Sequence, residues 1–413
     1  MRPALARLSS PLRALQLGDA QFARLFFARL VSQFGSVMSP IAMAFGVLAL
    51  TGSAQATSIV VAAQIIAQVL VLLLGGALAD RGHRQRILVL ADCTAAASQA
   101  VIAVLFLTGQ ATVPLLAALA AITGAANGMN LPTMQGFIIQ VVARERLREA
   151  NALLATARSA AQVLGAALAG ALVAAFGAGW TLAIEAVTFL SSAVLVAGIR
   201  AQPQAIGQPE TLLRSLRDGW GEFTSHRWLW VVVLQFAFVV AGVQAFYGLV
   251  GPTLAQRLLG GAEDWGVIAA GFGVGTLLGG ALVLRLNPRY PMRLAVCCVF
   301  GGALPMAACY APSPVWLITA AAVLNGITAQ TFSVLWHTAV QQHVPAESLS
   351  RVSAWDYLGS ICCAPLGVIA AGWTLDHLDY RVSVLAAMVL VIVPTIAALS
   401  VRDVRMLGRA GAS

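Results

Sequence analysis

Long apolar runs recur from one end of this chain to the other, and that feature decides the solvent in which it can fold. Runs near residues 25–50, 58–78, 87–108, 113–142, 152–176 and 180–199 are followed by a polar stretch. Six more follow, near 228–256, 265–284, 292–310, 315–342, 352–375 and 380–400. Each run approaches or exceeds the ~20 apolar residues that carry a helix across a bilayer. Lipid offers no hydrogen bonds, so a crossing backbone must satisfy its own, and a helix does so within one segment. Only 10% of the 413 residues are charged and 59% are hydrophobic, whereas a soluble domain is about 25% charged. The expectation is an all-α integral membrane protein with twelve transmembrane helices in two six-helix bundles.

Arginine sets the direction of the spans. All 25 basic residues are Arg. With the first residues on the cytoplasmic side, 21 of them fall in inside loops and tails. Two, Arg257 and Arg381, fall outside, and Arg29 and Arg158 lie within spans. This excess predicts both termini in the cytoplasm. The net charge of +9 is spread between apolar segments, so it argues for topology rather than for nucleic-acid binding. The predicted organisation is a cytoplasmic tail (1–21), a first bundle (22–199), a cytoplasmic linker (200–227), a second bundle (228–401) and a tail (402–413). In the linker Leu212, Leu213, Leu216, Trp220 and Phe223 recur at helical spacing, which predicts an amphipathic interfacial helix. The start resembles a cytosolic tail rather than a cleavable signal. The six Cys lie in apolar runs without a CxxC pair, which reads as buried, inert thiols.

The chain repeats itself. At an offset of 202, residues 140–170 lie over 342–372, with Gln140 on Gln342, Glu145 on Glu347, Gly165 on Gly367 and Gly170 on Gly372. Gly124 falls on Gly326. At an offset of 204 the hexapeptide LLGGAL at 73–78 falls on an identical LLGGAL at 277–282, and Asp80 then falls on Leu284. Two halves related by an axis along the membrane normal are expected, with a solute path between them.

GALADRGHRQRIL at 76–88 resembles the loop signature of the major facilitator superfamily, through Gly76, Leu78, Ala79, Asp80, Arg81, Arg84 and Arg86. His83 stands where the usual later Gly would be. LREANALLATARSAAQVLGAALAGAL, GWTLAIEAVTFLSSAVLV and SRVSAWDYLGS are similar to its drug and siderophore exporter branch, the macrolide-efflux and enterobactin-exporter type. The resemblance implies the major facilitator fold in a bacterial plasma membrane and alternating access. It also implies a cytoplasmic gate in which Asp80 meets Arg81 or Arg84, or the positive N-terminus of span 11. The chain departs from the antiporter pattern in span 5, where Ala166 rather than Pro follows Gly165.

Ionisable residues inside spans cost ~2.5–3.5 kcal/mol each on insertion scales, so each needs a reason. Asp356 shares a face of span 11 with Ser360, Cys363 and Gly367. It reads as a gate partner of Arg81 or Arg84, or as a proton-coupling carboxylate. Arg158 falls on Ser360 under the repeat, one turn from Asp356, and could pair across the cavity or bind an anionic substrate group. Arg29 could snorkel to the cytoplasm. Asp92 and Glu185 lie on outer spans and read as hydrogen-bonded within their half, with Glu185 a second protonation candidate. Neutral candidates for the substrate cavity are Gln33, Gln64, Gln68, Thr123, Asn127, Asn130 and Met134 in the first half. In the second half they are Gln235, Phe246, Asn325, Ala329, Phe332 and Trp336. Amides among aromatics would suit a largely apolar solute with a few polar groups. Gly271, Gly275 and Gly279 form a stripe for close packing or sliding.

No P-loop, metal-ligand cluster or Gly-x-Ser-x-Gly is present, so neither an enzyme nor a metal or cofactor is expected; the proton gradient is the expected energy source. The leading expectation is a monomeric secondary transporter in the lipid bilayer that exports amphipathic small molecules. An importer of the same fold and a non-transporting membrane sensor are the alternatives.

Overall fold

A computed structural model describes residues 20–79, 84–142, 146–200, 220–345 and 348–408. The first half contains α1 (Ala20–Thr51), α2 (Ala54–Ala79), α3 (Arg84–Leu107) and α4 (Val113–Val141). One further helical stretch, Leu147–Ala197, is 51 residues long. At 1.5 Å per residue it would span about 76 Å as one rod, far more than a bilayer core of ~30 Å. It folds back at Gly177, whose φ of 81° only glycine adopts without strain. Its arms, 147–176 and 178–197, are α5 and α6. Eleven helices among the described residues are long and apolar enough to cross a membrane, the stretch that folds back at Gly177 being counted once.

The second half contains α7 (Arg227–Leu258), α8 (Ala262–Val283), α9 (Pro291–Tyr310), α10 (Val315–His343), α11 (Leu349–Ile361 and Ala364–His377) and α12 (Tyr380–Ser400). α7 widens into one π turn at Phe246–Val250. Pro252 follows it and cannot donate back to residue 248, so the ladder slips there. α11 breaks at Cys362–Cys363, just before Pro365. The linker helix expected over 200–227 lies mostly outside the described residues. Its end, 220–225, is helical, with Trp220 edge-on to Trp355 of α11 at 4.8 Å.

Helix starts measure the repeat directly. α2 begins at residue 54 and α8 at 262, an offset of 208. α4, α5 and α6 begin at 113, 147 and 178, and α10, α11 and α12 at 315, 349 and 380, an offset of 202. Packing repeats with the same numbers. Gly124 of α4 lies against the Gln64 carbonyl of α2, and Gly326 of α10 lies against the Phe272 carbonyl of α8. Gly170 of α5 lies on Ala262 and Gly266 of α8, and Gly372 of α11 lies on Ala54 and Ser58 of α2.

This corrects the LLGGAL register. The structural partner of α2 residue n is α8 residue n + 208, so the two hexapeptides are one helical turn out of step. Leu78 answers to Leu286 rather than to Leu282. The identical letters are an Ala/Leu/Gly coincidence; close-packed backbone sets the true register. The Gly271, Gly275 and Gly279 stripe packs on α10 inside its own half, so it is a packing surface rather than a sliding one.

Both described termini lie at one end of the bundle, called basal here; the α1–α2 turn lies at the distal end. The halves meet through α5 with α8 and α2 with the second segment of α11. These contacts gather distally, while among the described residues the basal segment of α11, Leu349–Ile361, barely touches α2.

Candidate functional site

A distal clasp joins the halves. Asp376, near the end of α11, faces the first residues of α2. Its carboxylate accepts from Ser53 Oγ at 2.6 Å, from the Ala54 amide at 3.0 Å and from the Gln55 amide at 2.9 Å. These amides are among the four at any helix start that lack an intrahelical acceptor. Asp376 caps α2 from the other half, where the helix dipole favours an anion. Arg257 at the end of α7 completes the clasp: its guanidinium lies 3.4 Å from Asp376 Oδ1 and donates to the Leu375 carbonyl at 3.2 Å. Sequence reading missed all of these except Arg257, which it used only for topology. Nothing local marks Asp376 as the cap of a helix more than 300 residues away.

The first half encloses a charged network. Arg29 of α1 donates to Asn130 Oδ1 at 3.1 Å, Asn130 donates to Asp92 Oδ1 at 2.8 Å, and Ser192 donates to Asp92 Oδ2 at 2.6 Å. Four helices, α1, α4, α3 and α6, are tied in one chain. Arg29 therefore reaches into its half instead of snorkelling, and the half-buried Asn130 links it to Asp92 by hydrogen bonds. Arg158 of α5 is exposed, and among the described residues it forms no ion pair with Asp356.

Farther toward the distal end, Gln99 of α3 donates to Ser39 Oγ of α1 at 3.0 Å. Glu185 of α6, 1% exposed, lies by the same Ser39. Gln99 Oε1 and both Glu185 carboxylate oxygens lack a hydrogen-bond partner among the described residues. α1 approaches closely here because Gly35 has no Cβ; one would lie 3.2 Å from Glu185 Cγ.

In the second half Asp356 accepts from Trp336 Nε1 of α10 at 2.9 Å. Of its expected partners, Arg84 donates to the Gly136 carbonyl at 3.0 Å, and Arg81 lies outside the described residues. Asp80 and Arg81, the core of the expected gate, lie outside the described residues. Gly76 is in the last turn of α2, and Arg86 is exposed at the start of α3.

Several expected cavity residues turn inward instead. Met134 packs with Leu25, Leu88 and Phe137. Gln235 donates to Thr395 of α12 at 2.9 Å. Phe246 is fully buried beside Tyr247 and Trp265. Asn325 donates to the Tyr247 hydroxyl at 2.9 Å. Phe332 stacks between Phe236 and Trp336. Thr123 is buried too, while Gln33, Gln64, Gln68, Asn127 and Ala329 remain partly accessible. Helical periodicity identifies residues that share a face; it does not say what that face meets.

An apolar groove of about 690 Å³ runs between the basal parts of α7 and α11. Trp230, Val233 and Phe238 form one wall, Trp355 and Cys362 the other, and Trp220 and Phe223 close its end. Among the described residues no group of three or more His, Cys, Asp or Glu could hold a metal ion.

The whole chain has known likenesses. Multidrug efflux pump Tap of Mycolicibacterium fortuitum is 23% identical over 375 residues, covering 88% of this chain and 91% of that protein. Multidrug efflux pump Tap of Mycobacterium tuberculosis (strain ATCC 25618 / H37Rv) is 24% identical over 382 residues, 88% of each. Among solved structures, a variant of the nucleoside transporter NupG superposes with a TM-score of 0.75 at 15% identity, covering 92% of this chain and 99% of that one. A bacterial homologue of the human lysosomal transporter Spinster, inward-facing and unoccupied, superposes at 0.73 and 15%, covering 96% and 100%. These superpositions establish the major facilitator fold. Residues 10–408 match the family described as transmembrane secretion effector, and the chain belongs to that family of multi-pass membrane proteins.

Proposed function

We propose that this protein is a secondary transporter, not an enzyme, that exports amphipathic small molecules of the drug, antibiotic or siderophore type by alternating access. The carrying observation is the asymmetry of the interface: the halves are clasped distally by Asp376 and packed through Gly170 and Gly372, while among the described residues the basal part of α11 makes little contact with α2. With both termini in the cytoplasm of a bacterial plasma membrane, as the Arg distribution argues, this is the state that loads from inside. Full-length likeness to multidrug efflux pumps supports export over import. The apolar groove beside α7 and α11 supports an amphipathic cargo. The proton gradient supplies the energy, and the protein works as a monomer in the bilayer, with no nucleic-acid partner. In the outward-facing state, Asp80 latches the cytoplasmic side with Arg81, Arg84 and Arg86.

The test uses inside-out vesicles given an amphipathic fluorescent dye and an imposed proton gradient. Dye accumulation above that of vesicles lacking the protein is expected, and Asp80→Asn should abolish it with the protein still in the membrane. Dye movement indifferent to the protein's presence would refute export.

A further inference from the structure

We infer that Ser39, Gln99 and Glu185 form the proton-binding site of the first half, with the Glu185 carboxyl as carrier; the inference rests on the proton-driven export proposed above. The cluster lies where α1, α3 and α6 meet, seven residues along α6 from the start of its arm, or about 10 Å from the distal end. Ser39, Gln99 and Glu185 are 4%, 1% and 1% exposed. The cluster is rich in acceptors and poor in donors. The Gln99 amide gives one of its hydrogens to Ser39, and three oxygens are left without a donor: Gln99 Oε1, Glu185 Oε1 and Glu185 Oε2.

A buried carboxylate without cation or donor is far costlier than a satisfied one. The other buried acid of this half shows the contrast. Asp92 lies one heptad basal to Gln99 on α3 and bonds Ser192, one heptad basal to Glu185 on α6. It has two donors and the Arg29 guanidinium relayed through Asn130. The two layers are built alike, but only the basal one contains a cation.

No such charge faces Glu185. α6 has no other ionisable residue. On α1 the nearest is Arg29, ten residues toward the basal end; on α3 they are Cys93 and Asp92, six and seven residues basal of Gln99; on α5 the described cation is Arg158. None of these forms an ion pair with Glu185 among the described residues, and the Ser39 hydroxyl is the polar group beside the carboxyl. Adding a proton forms one O–H bond on the carboxyl and turns an acceptor into the missing donor; releasing it breaks that bond, with no redox change. Opening the distal side and separating α1 from α6, which meet through Gly35 and Thr188, lets the carboxyl take its proton from outside. Distal closure cuts that path, and the proton that drives export leaves toward the basal side as the substrate loads.

The experiment compares wild type, Glu185→Gln and Glu185→Asp in proteoliposomes. Glu185→Gln, which mimics the protonated form, should lower proton-driven dye accumulation at least about tenfold. It should leave counterflow of labelled dye without a gradient within about twofold, because a permanently neutral site still permits exchange. Glu185→Asp should recover part of the driven transport. Infrared difference spectra should show a protonated-carboxyl band present in wild type and lost in Glu185→Gln. Wild-type driven accumulation by Glu185→Gln, loss of its counterflow as well, sodium in place of protons as the driving ion, or no infrared difference would each overturn the assignment. If wild type moves no dye at all, export is wrong, and the infrared band still decides the proton site.

Discussion

Asp376 and Ser53 sit on different halves, 323 residues apart in sequence, yet their side chains meet at 2.6 Å. The contact does double work: Ser53 Oγ also accepts from the Ala56 amide at 3.0 Å, so the α2 cap and the seal between halves are one structure. Asp376→Ala removes the acceptor of one hydroxyl and two amides. Hydrogen bonds to charged groups contribute about 1.5–3 kcal/mol; partial solvent access reduces this, so a loss of about 1–2 kcal/mol is expected. That shifts the equilibrium toward distal opening by roughly tenfold. Spin labels on the distal ends of α2 and α11 should report a new, longer distance; an unchanged distribution would refute the clasp. Arg257→Ala, which removes an exposed partner, should shift it far less.

Gly170 and Gly372 predict a steric block. A Cβ on Gly170 would lie 2.5 Å from the Ala262 carbonyl, and one on Gly372 would lie 3.0 Å from the Ala54 carbonyl. Backbone cannot retreat as a flexible side chain does. Gly170→Val should hold the distal side apart, abolish dye transport and leave membrane levels within about twofold, since the clash is between halves rather than within one. Normal transport by this variant would show that distal closure is not needed.

The Arg29–Asn130–Asp92–Ser192 chain predicts non-additive losses. Asn130→Ala should lower the stability of the detergent-purified protein by about 1–3 kcal/mol, because it leaves the half-buried Arg29 guanidinium and the buried Asp92 carboxylate each short of a partner. Arg29→Leu combined with Asp92→Asn should cost less than the sum of the single changes. Thermal melts of the four proteins would settle it, and strict additivity would contradict the network.

Trp336 predicts a donor effect separable from packing. Trp336→Phe keeps an aromatic ring between Phe332 and Trp228 but removes the Nε1 donor to Asp356. A loss of about 1–3 kcal/mol is expected. Adding Asp356→Ala should recover part of it, because the unsatisfied acid is then gone. Equal melting of Trp336→Phe and wild type would place the contact outside the energetics.

The sequence by itself determined the solvent, the all-helical class and the doubled architecture. Lipid forces every backbone group into helices, so apolar run lengths translate directly into spans, and the 202-residue offset survives in α4 to α6. It also marked Arg29, Asp92, Arg158, Glu185 and Asp356, because charge inside an apolar run is conspicuous whatever its neighbours. Neighbours were what it could not supply. The LLGGAL register failed by one turn because letter identity in Ala/Leu/Gly-rich helices is cheap, while the close approach of Gly124, Gly170, Gly326 and Gly372 to facing backbone is not. The polar faces of α4 and α10 were legible as faces, but packing turned Met134, Asn325, Phe332 and Trp336 toward their own half. Only the tertiary structure put Asp376 on the start of α2, since an acid near a helix end carries no mark of which distant amides it will cap.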